Sequence, residues 1–101
     1  MYRASGYRVV GRNWRCALGE LDLILARRST LVFCEVKTRR SALLGGAYEA
    51  VGWQKQRKLH RLAEAFLAIS PLSPDEIRFD VASVSVDRAG RLSVHVFESA
   101  F

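Results

Sequence analysis

Cysteine is scarce in this chain. Cys16 and Cys34 are the only two in 101 residues. With His60 and His95 far from them and from each other, they lack the ligand spacing of a zinc site. They read as the reduced thiols of a cytosolic protein. Long apolar runs are also missing: no stretch approaches the roughly 20 residues of a membrane span. No charged-then-apolar leader opens the chain. The expectation is therefore a soluble, cytoplasmic protein without a membrane partner. Repeats, low-complexity tracts and linkers are absent, so residues 1–101 are expected to form a single domain.

The next shortage is of acidic residues, and it is uneven. From Met1 to Arg61 there are thirteen Lys/Arg against four acids, Glu20, Asp22, Glu35 and Glu49; from Leu62 to Phe101 there are three against six. Thirteen of the sixteen basic residues are Arg, whose planar fork suits phosphate oxygens. A basic half of this kind points to a polyanionic partner, with nucleic acid first and DNA favoured. The plainer alternative is solubility charge.

Three of those four acids lie in one hairpin. Gly19-Glu20-Leu21-Asp22-Leu23-Ile24 and Val32-Phe33-Cys34-Glu35-Val36-Lys37-Thr38-Arg39 read as strands joined at Arg27-Arg28-Ser29-Thr30. Alternation puts Glu20 and Asp22 on one face of their strand, and Glu35 and Lys37 on one face of theirs, with Cys34 opposite. A turn centred on Arg28-Ser29 sets Asp22 across from Glu35, and Glu20 across from Lys37. Two carboxylates facing each other across a ladder repel. A hard divalent cation such as Mg²⁺ would remove the conflict, since it takes one or two carboxylates and leaves its other positions to water and phosphate. A nearby lysine could then orient a nucleophile or offset charge on phosphate. The alternative is a solvated hairpin face with a Glu20–Lys37 ion pair.

Around the hairpin, Gly6 marks the C-cap of a helical turn, and residues 7–14 read as a first strand. Arg8, Arg12 and Arg15 are more simply solvated than bound to phosphate. After Arg39 and Arg40 come Gly45-Gly46, a loop signal. Residues 53–69 form the strongest helix, with Leu59, Leu62, Ala63, Phe66 and Ile69 as its buried stripe. Its first turns carry Lys55, Arg57, Lys58 and Arg61. Together with Arg39 and Arg40 these make the expected nucleic-acid surface. Trp53 is expected as a buried anchor at the helix entrance, with base stacking the less favoured role, and His60 as structural or phosphate-facing. Pro71 and Pro74 end the helix. Strands follow over 77–86 and 91–98, joined by the turn Asp87-Arg88-Ala89-Gly90. Asp80 reads as a structural hydrogen-bond acceptor sooner than as a site residue. The order predicts an α+β domain, a mixed sheet flanked by helix.

Asp22 with Glu35-Val36-Lys37 resembles the PD-(D/E)xK nuclease signature. The longer text, from Gly6-Tyr7-Arg8-Val9-Val10 through Gly19-Glu20-Leu21-Asp22, Glu49-Ala50-Val51 and Lys55-Gln56-Arg57-Lys58-Leu59 to Arg78-Phe79-Asp80-Val81, resembles the uncharacterised YraN-like bacterial family, which is similar to archaeal Holliday junction resolvases. The resemblance implies a restriction-endonuclease-like fold and a Mg²⁺- or Mn²⁺-dependent nuclease acting on DNA, with branched or structured DNA in repair or recombination as the substrate class. It implies Asp22 and Glu35 as metal ligands and Lys37 as the positioning or charge-stabilising group. Glu20 and Gln56 are its accessory residues, and Lys55 and Gln56 match the family's helix motif near substrate or metal. The family's N-terminal helix, with its further glutamate, is missing from this reading of the chain. That departure supports an alternative, a non-catalytic nucleic-acid-binding module that keeps the fold, with Glu20 or Glu49 as substitute acids. A third reading pairs an uncovered sheet with another chain, as in a homodimer.

Overall fold

The computed structural model describes residues 2–39 and 52–101. A short 3-10 turn, Arg3–Ser5, ends on Gly6 at φ +87°, the left-handed C-cap that the glycine implied. Five strands follow: β1 (Arg8–Cys16), β2 (Gly19–Arg27), β3 (Thr30–Arg39), β4 (Glu76–Val86) and β5 (Leu92–Phe97). The helix α1 (Trp53–Ile69) lies between β3 and β4. The strands form one sheet in the order β1-β2-β3-β4-β5. Only β3 and β4 are parallel, as their helical crossover requires, and the other neighbours are antiparallel. The mixed α+β architecture expected from the sequence is the one observed, with strand ends displaced by one to three residues.

The β2–β3 hairpin has the expected register, Arg27 opposite Thr30 through Leu23 opposite Cys34. Arg28 takes the turn at φ +54°. The carbonyl of Ser29 accepts the N–H groups of Asp75 and Glu76, which ties this turn to the start of β4.

Leu59, Leu62, Ala63 and Phe66 recur at the three- and four-residue spacing of one helical face and are buried. They pack on Leu21, Ile24, Phe33, Phe79 and Val81 from the sheet. Phe66 meets Phe33 and Trp14 edge-on. Ile69, expected on the buried stripe, is 70% exposed: it lies in the last turn, beyond the sheet's reach. Ser70 takes an extended conformation before Pro71, as the residue before proline must.

The opposite sheet face carries Leu25, Val32, Cys34 and Ala82, covered by Tyr7 with Tyr2, Val9, Leu23 and Val96. Val36 and Val94 continue this face by alternation and are exposed. Among the described residues, no helix is long and apolar enough to cross a membrane.

Candidate functional site: a fork between two strands

The site begins where the ladder fails. β3 pairs with β4 along its whole length, out to Arg39 opposite Ser85, but its pairing with β2 stops at Leu23–Cys34. Beyond that point β2 continues against β1, as far as Gly19 opposite Cys16. The two hairpin strands therefore diverge at Asp22 and Glu35, the residues expected to face each other. β2 loses its strict alternation here, because Leu21 and Ile24, three residues apart, both join the helix-side cluster. Asn13, at φ +49°, lies in β1 between the residues paired with Leu21 and Leu23.

A strand that leaves its partner exposes unpaired backbone groups. Asp22 Oδ2 accepts the Val36 N–H at 2.9 Å, so a carboxylate replaces the missing carbonyl of the ladder. This spends one of the oxygens of Asp22 and sets the carboxylate beside β3. The side chain of Glu35, next along, is only 10% exposed. Burial raises its pKa, the neighbouring Asp22 raises it further, and Lys55 partly offsets both. Lys55 Nζ is 3.0 Å from Glu35 Oε2. No donor among the described residues makes an aligned hydrogen bond to that buried oxygen. The contact is an ion pair seen from the side, and acceptor capacity is left over.

An open groove of about 400 Å³ reaches this point, lined by Glu20, Glu35, Gln54, Lys55 and Lys58. Behind it, Asp22 and Glu35 share with Leu21, Phe33 and Leu59 the wall of a cavity of about 10 Å³, close to the space one water occupies. Gly19, at φ +143°, borders the groove. A Cβ there would lie 3.0 Å from Lys58 Cε, so the lysine stem runs directly over the strand backbone.

Asp22, Glu35 and Lys55 thus come together. Lys37 shares the Glu35 face of β3, two residues or about 7 Å along the strand, and is half-buried. The expected Glu20–Lys37 pairing does not form, because Glu20 faces β1 and its carboxylate accepts from Arg15 Nε. Lys55, first assigned to the nucleic-acid surface, is engaged by Glu35. Gln56 lines a separate groove with Trp53 and His60. The expected anchor Trp53 is 62% exposed: the buried helix face is that of Leu59, Leu62, Ala63 and Phe66, and Trp53 is not on it. His60 lies face-near to Phe79, with 4.3 Å between ring centroids, a packing role. The side chain of Arg39, and Arg40 and Glu49 entirely, lie outside the described residues. Lys58, expected on the nucleic-acid surface, lines the Glu35 groove, and so does Gln54, for which no role was expected although positions 54, 55 and 58 share one helical face.

Asp80 does not join the fork. It is fully buried, pairs in register with Cys34, and so points to the opposite face from Glu35. Arg78 donates to both of its oxygens, and Tyr2 and the Ser99 N–H donate as well.

The two carboxylates fit a hard divalent cation in kind: both are oxygen donors, Glu35 is desolvated, and Asp22 raises the cost of charge on Glu35. Among the described residues no group of three or more His, Cys, Asp or Glu could hold a metal ion, so water and substrate oxygens would complete its coordination.

Comparison with known sequences gives the family. Residues 1–84 match the family described as "Uncharacterised protein family UPF0102". The chain is 46% identical over 98 residues to a UPF0102 protein of Frankia alni, covering 97% of this chain and 82% of the relative. It is 47% identical over 98 residues to one of Symbiobacterium thermophilum, covering 97% and 83%, and 43% identical over 97 residues to one of Alkaliphilus metalliredigens, covering 96% and 83%.

Proposed function

The chain belongs to the UPF0102 family, and from that premise we propose that it is a metal-dependent nuclease hydrolysing phosphodiester bonds in DNA, with branched or structured DNA as its substrate class. The observation that carries this reading is the fork itself. The ladder opens where two acids meet, and the buried one keeps an oxygen without an aligned donor. Structural carboxylates are ordinarily satisfied. One that is desolvated, raised in pKa and open to a groove lined by two lysines is a functional-site candidate.

Asp22 and Glu35 are assigned to hold Mg²⁺ or Mn²⁺. Such an ion, when bound, lowers the pKa of a coordinated water and neutralises charge growing on phosphate. The chain's own residues have simpler tasks. Lys37 orients the attacking water or offsets phosphate charge as the new P–O bond forms and the bond to the leaving sugar oxygen breaks. Lys55 keeps Glu35 in position, and Lys58 crosses the groove floor to meet the strand's phosphates. A DNA substrate would place the protein in the cytoplasm.

The test uses purified full chain. Mn²⁺ should raise the melting temperature of the natural protein, and this shift should disappear in Asp22→Asn and Glu35→Gln. Cleavage of branched DNA should fall by about 100-fold or more in each variant, since even outer partners of a metal site cost about 10–100-fold. A melting shift or cleavage rate indifferent to both substitutions removes the proposal. A second reading, a binding module without turnover, is favoured by the absence of a third metal-ligating residue among those described. It predicts salt-dependent DNA binding with neither metal shift nor cleavage.

A further inference from the structure

The outward side of α1 presents a surface that extends beyond the carboxylate fork. Tryptophan is highly buried on average in folded chains, yet Trp53 is 62% exposed. Its ring stands between two grooves. One, of about 390 Å³, is lined with Trp53 by Leu18, Gln54, Arg57, Lys58 and Arg61. The other, of about 430 Å³, runs past Gln56 and His60 and shares Arg57 and Arg61. The Arg57 guanidinium carbon lies 5.5 Å from the ring centroid, within cation–π range. Among the described residues, Arg57, Lys58 and Arg61 hold no ion pair, and the one acid bordering these grooves is Glu64.

We propose that Trp53 is a stacking platform for an unpaired DNA base, with Arg57, Lys58 and Arg61 holding the phosphates on either side of it. The inference rests on the nuclease reading for the nature of the ligand and adds which part of a DNA substrate is recognised. An exposed aromatic face among uncompensated cations matches a ligand that has both a π-face and a negative backbone. An acidic peptide has the charge alone. A base inside a duplex offers only its edges, so a Trp face selects a nucleotide free of its partner. The groove also has a direction. Gln54 and Lys58 line both the Trp53 groove and the Glu35 groove, so a strand anchored at Trp53 continues toward Asp22 and Glu35. The preferred substrate has an unpaired nucleotide beside the bond to be cut.

The experiment measures binding by fluorescence anisotropy at low salt in EDTA. It compares a labelled oligo-dT of about 12 nucleotides, an abasic oligomer with the same phosphates, and a blunt duplex. Trp53→Ala should weaken oligo-dT binding about 10-fold or more. Trp53→Phe should restore most of it, and duplex binding should be unchanged in both variants. The natural protein should bind the abasic oligomer as weakly as Trp53→Ala binds oligo-dT. Equal loss on oligo-dT and duplex overturns the proposal. So does abasic binding as tight as oligo-dT, or polyglutamate competing as well as oligo-dT. If Trp53→Ala is silent while metal shift and cleavage still depend on Asp22 and Glu35, this inference falls and the nuclease reading stands. Failure of the natural protein to bind any of the three DNAs removes both.

Discussion

Two carboxylates with buried oxygens sit on adjacent strands, Glu35 on β3 and Asp80 on β4, and the fold treats them in opposite ways. Asp80 has both oxygens filled: Arg78 Nε and Nη2 each donate at 2.9 Å, Tyr2 at 2.7 Å and the Ser99 N–H at 3.0 Å. Tyr2 and Ser99 come from opposite ends of the chain, so Asp80 pins the first and last segments to the sheet. Its hydrogen bonds hold Arg78 firmly in the charged form, against the burial that opposes it. Glu35 has one lysine beside it, a like charge nearby, and a pKa pushed up by burial. Burial with full satisfaction makes a structural joint. Burial with a deficit leaves a site that gains when a cation arrives.

The largest expected effect tests the joint. Asp80→Ala leaves Arg78 without its main partner in a largely buried position, and should cost about 3–5 kcal/mol in urea denaturation. A cost typical of an exposed ion pair would erase the contrast.

The next test concerns the deficit, in metal-free protein. Glu35 binds its proton more tightly when folded than when unfolded, because its folded pKa is raised from the ordinary 4.5. Its ionisation therefore costs stability as pH rises from the unfolded value through the folded one. Glu35→Gln, which copies the neutral form, should melt a few degrees above the natural protein at pH 7. That advantage should vanish below the unfolded-state pKa. A variant less stable at pH 7 would mean that the Lys55 pair outweighs burial.

The smallest effect reads the packing around the joint. Burial pushes the Cys34 thiol up to about 11, and it lies beside Tyr2, whose hydroxyl is itself raised, first by burial. Cys16 is partly exposed. Folded protein at pH 8 should therefore react through one thiol with dithionitrobenzoate, and unfolded protein through two. Two fast thiols in the folded state would show that the Asp80 side of the sheet is open.

Much of the fold was legible because it depends on local pattern. The helix came from the spacing of Leu59, Leu62, Ala63 and Phe66, the hairpin from a polar break between two apolar runs, and the register from a turn centred on Arg28-Ser29. Asp22 and Glu35 were found together for the same reason, since register carries one to the other. Ile69 was misread because a periodic pattern says which side of a helix is apolar, not where the sheet beneath it ends, and Trp53 because it is not on the buried face. The Glu20–Lys37 pair failed because continuing the ladder in imagination ignores that β2 can turn to β1 instead.

The sequence by itself determined the strands, the helix, the basic half and the pair of acids, all set by spacing along the chain or by simple count. Tertiary structure decided how each charged group is provided for. Lys55 reaches Glu35 only because α1 packs on this face of the sheet, and Asp80 is satisfied only because Tyr2 and Ser99 arrive from opposite ends of the chain. Desolvation and hydrogen bonding depend on what surrounds an atom in space. Residues 19 to 78 positions away supply those surroundings as readily as neighbours do, so no local pattern announces them.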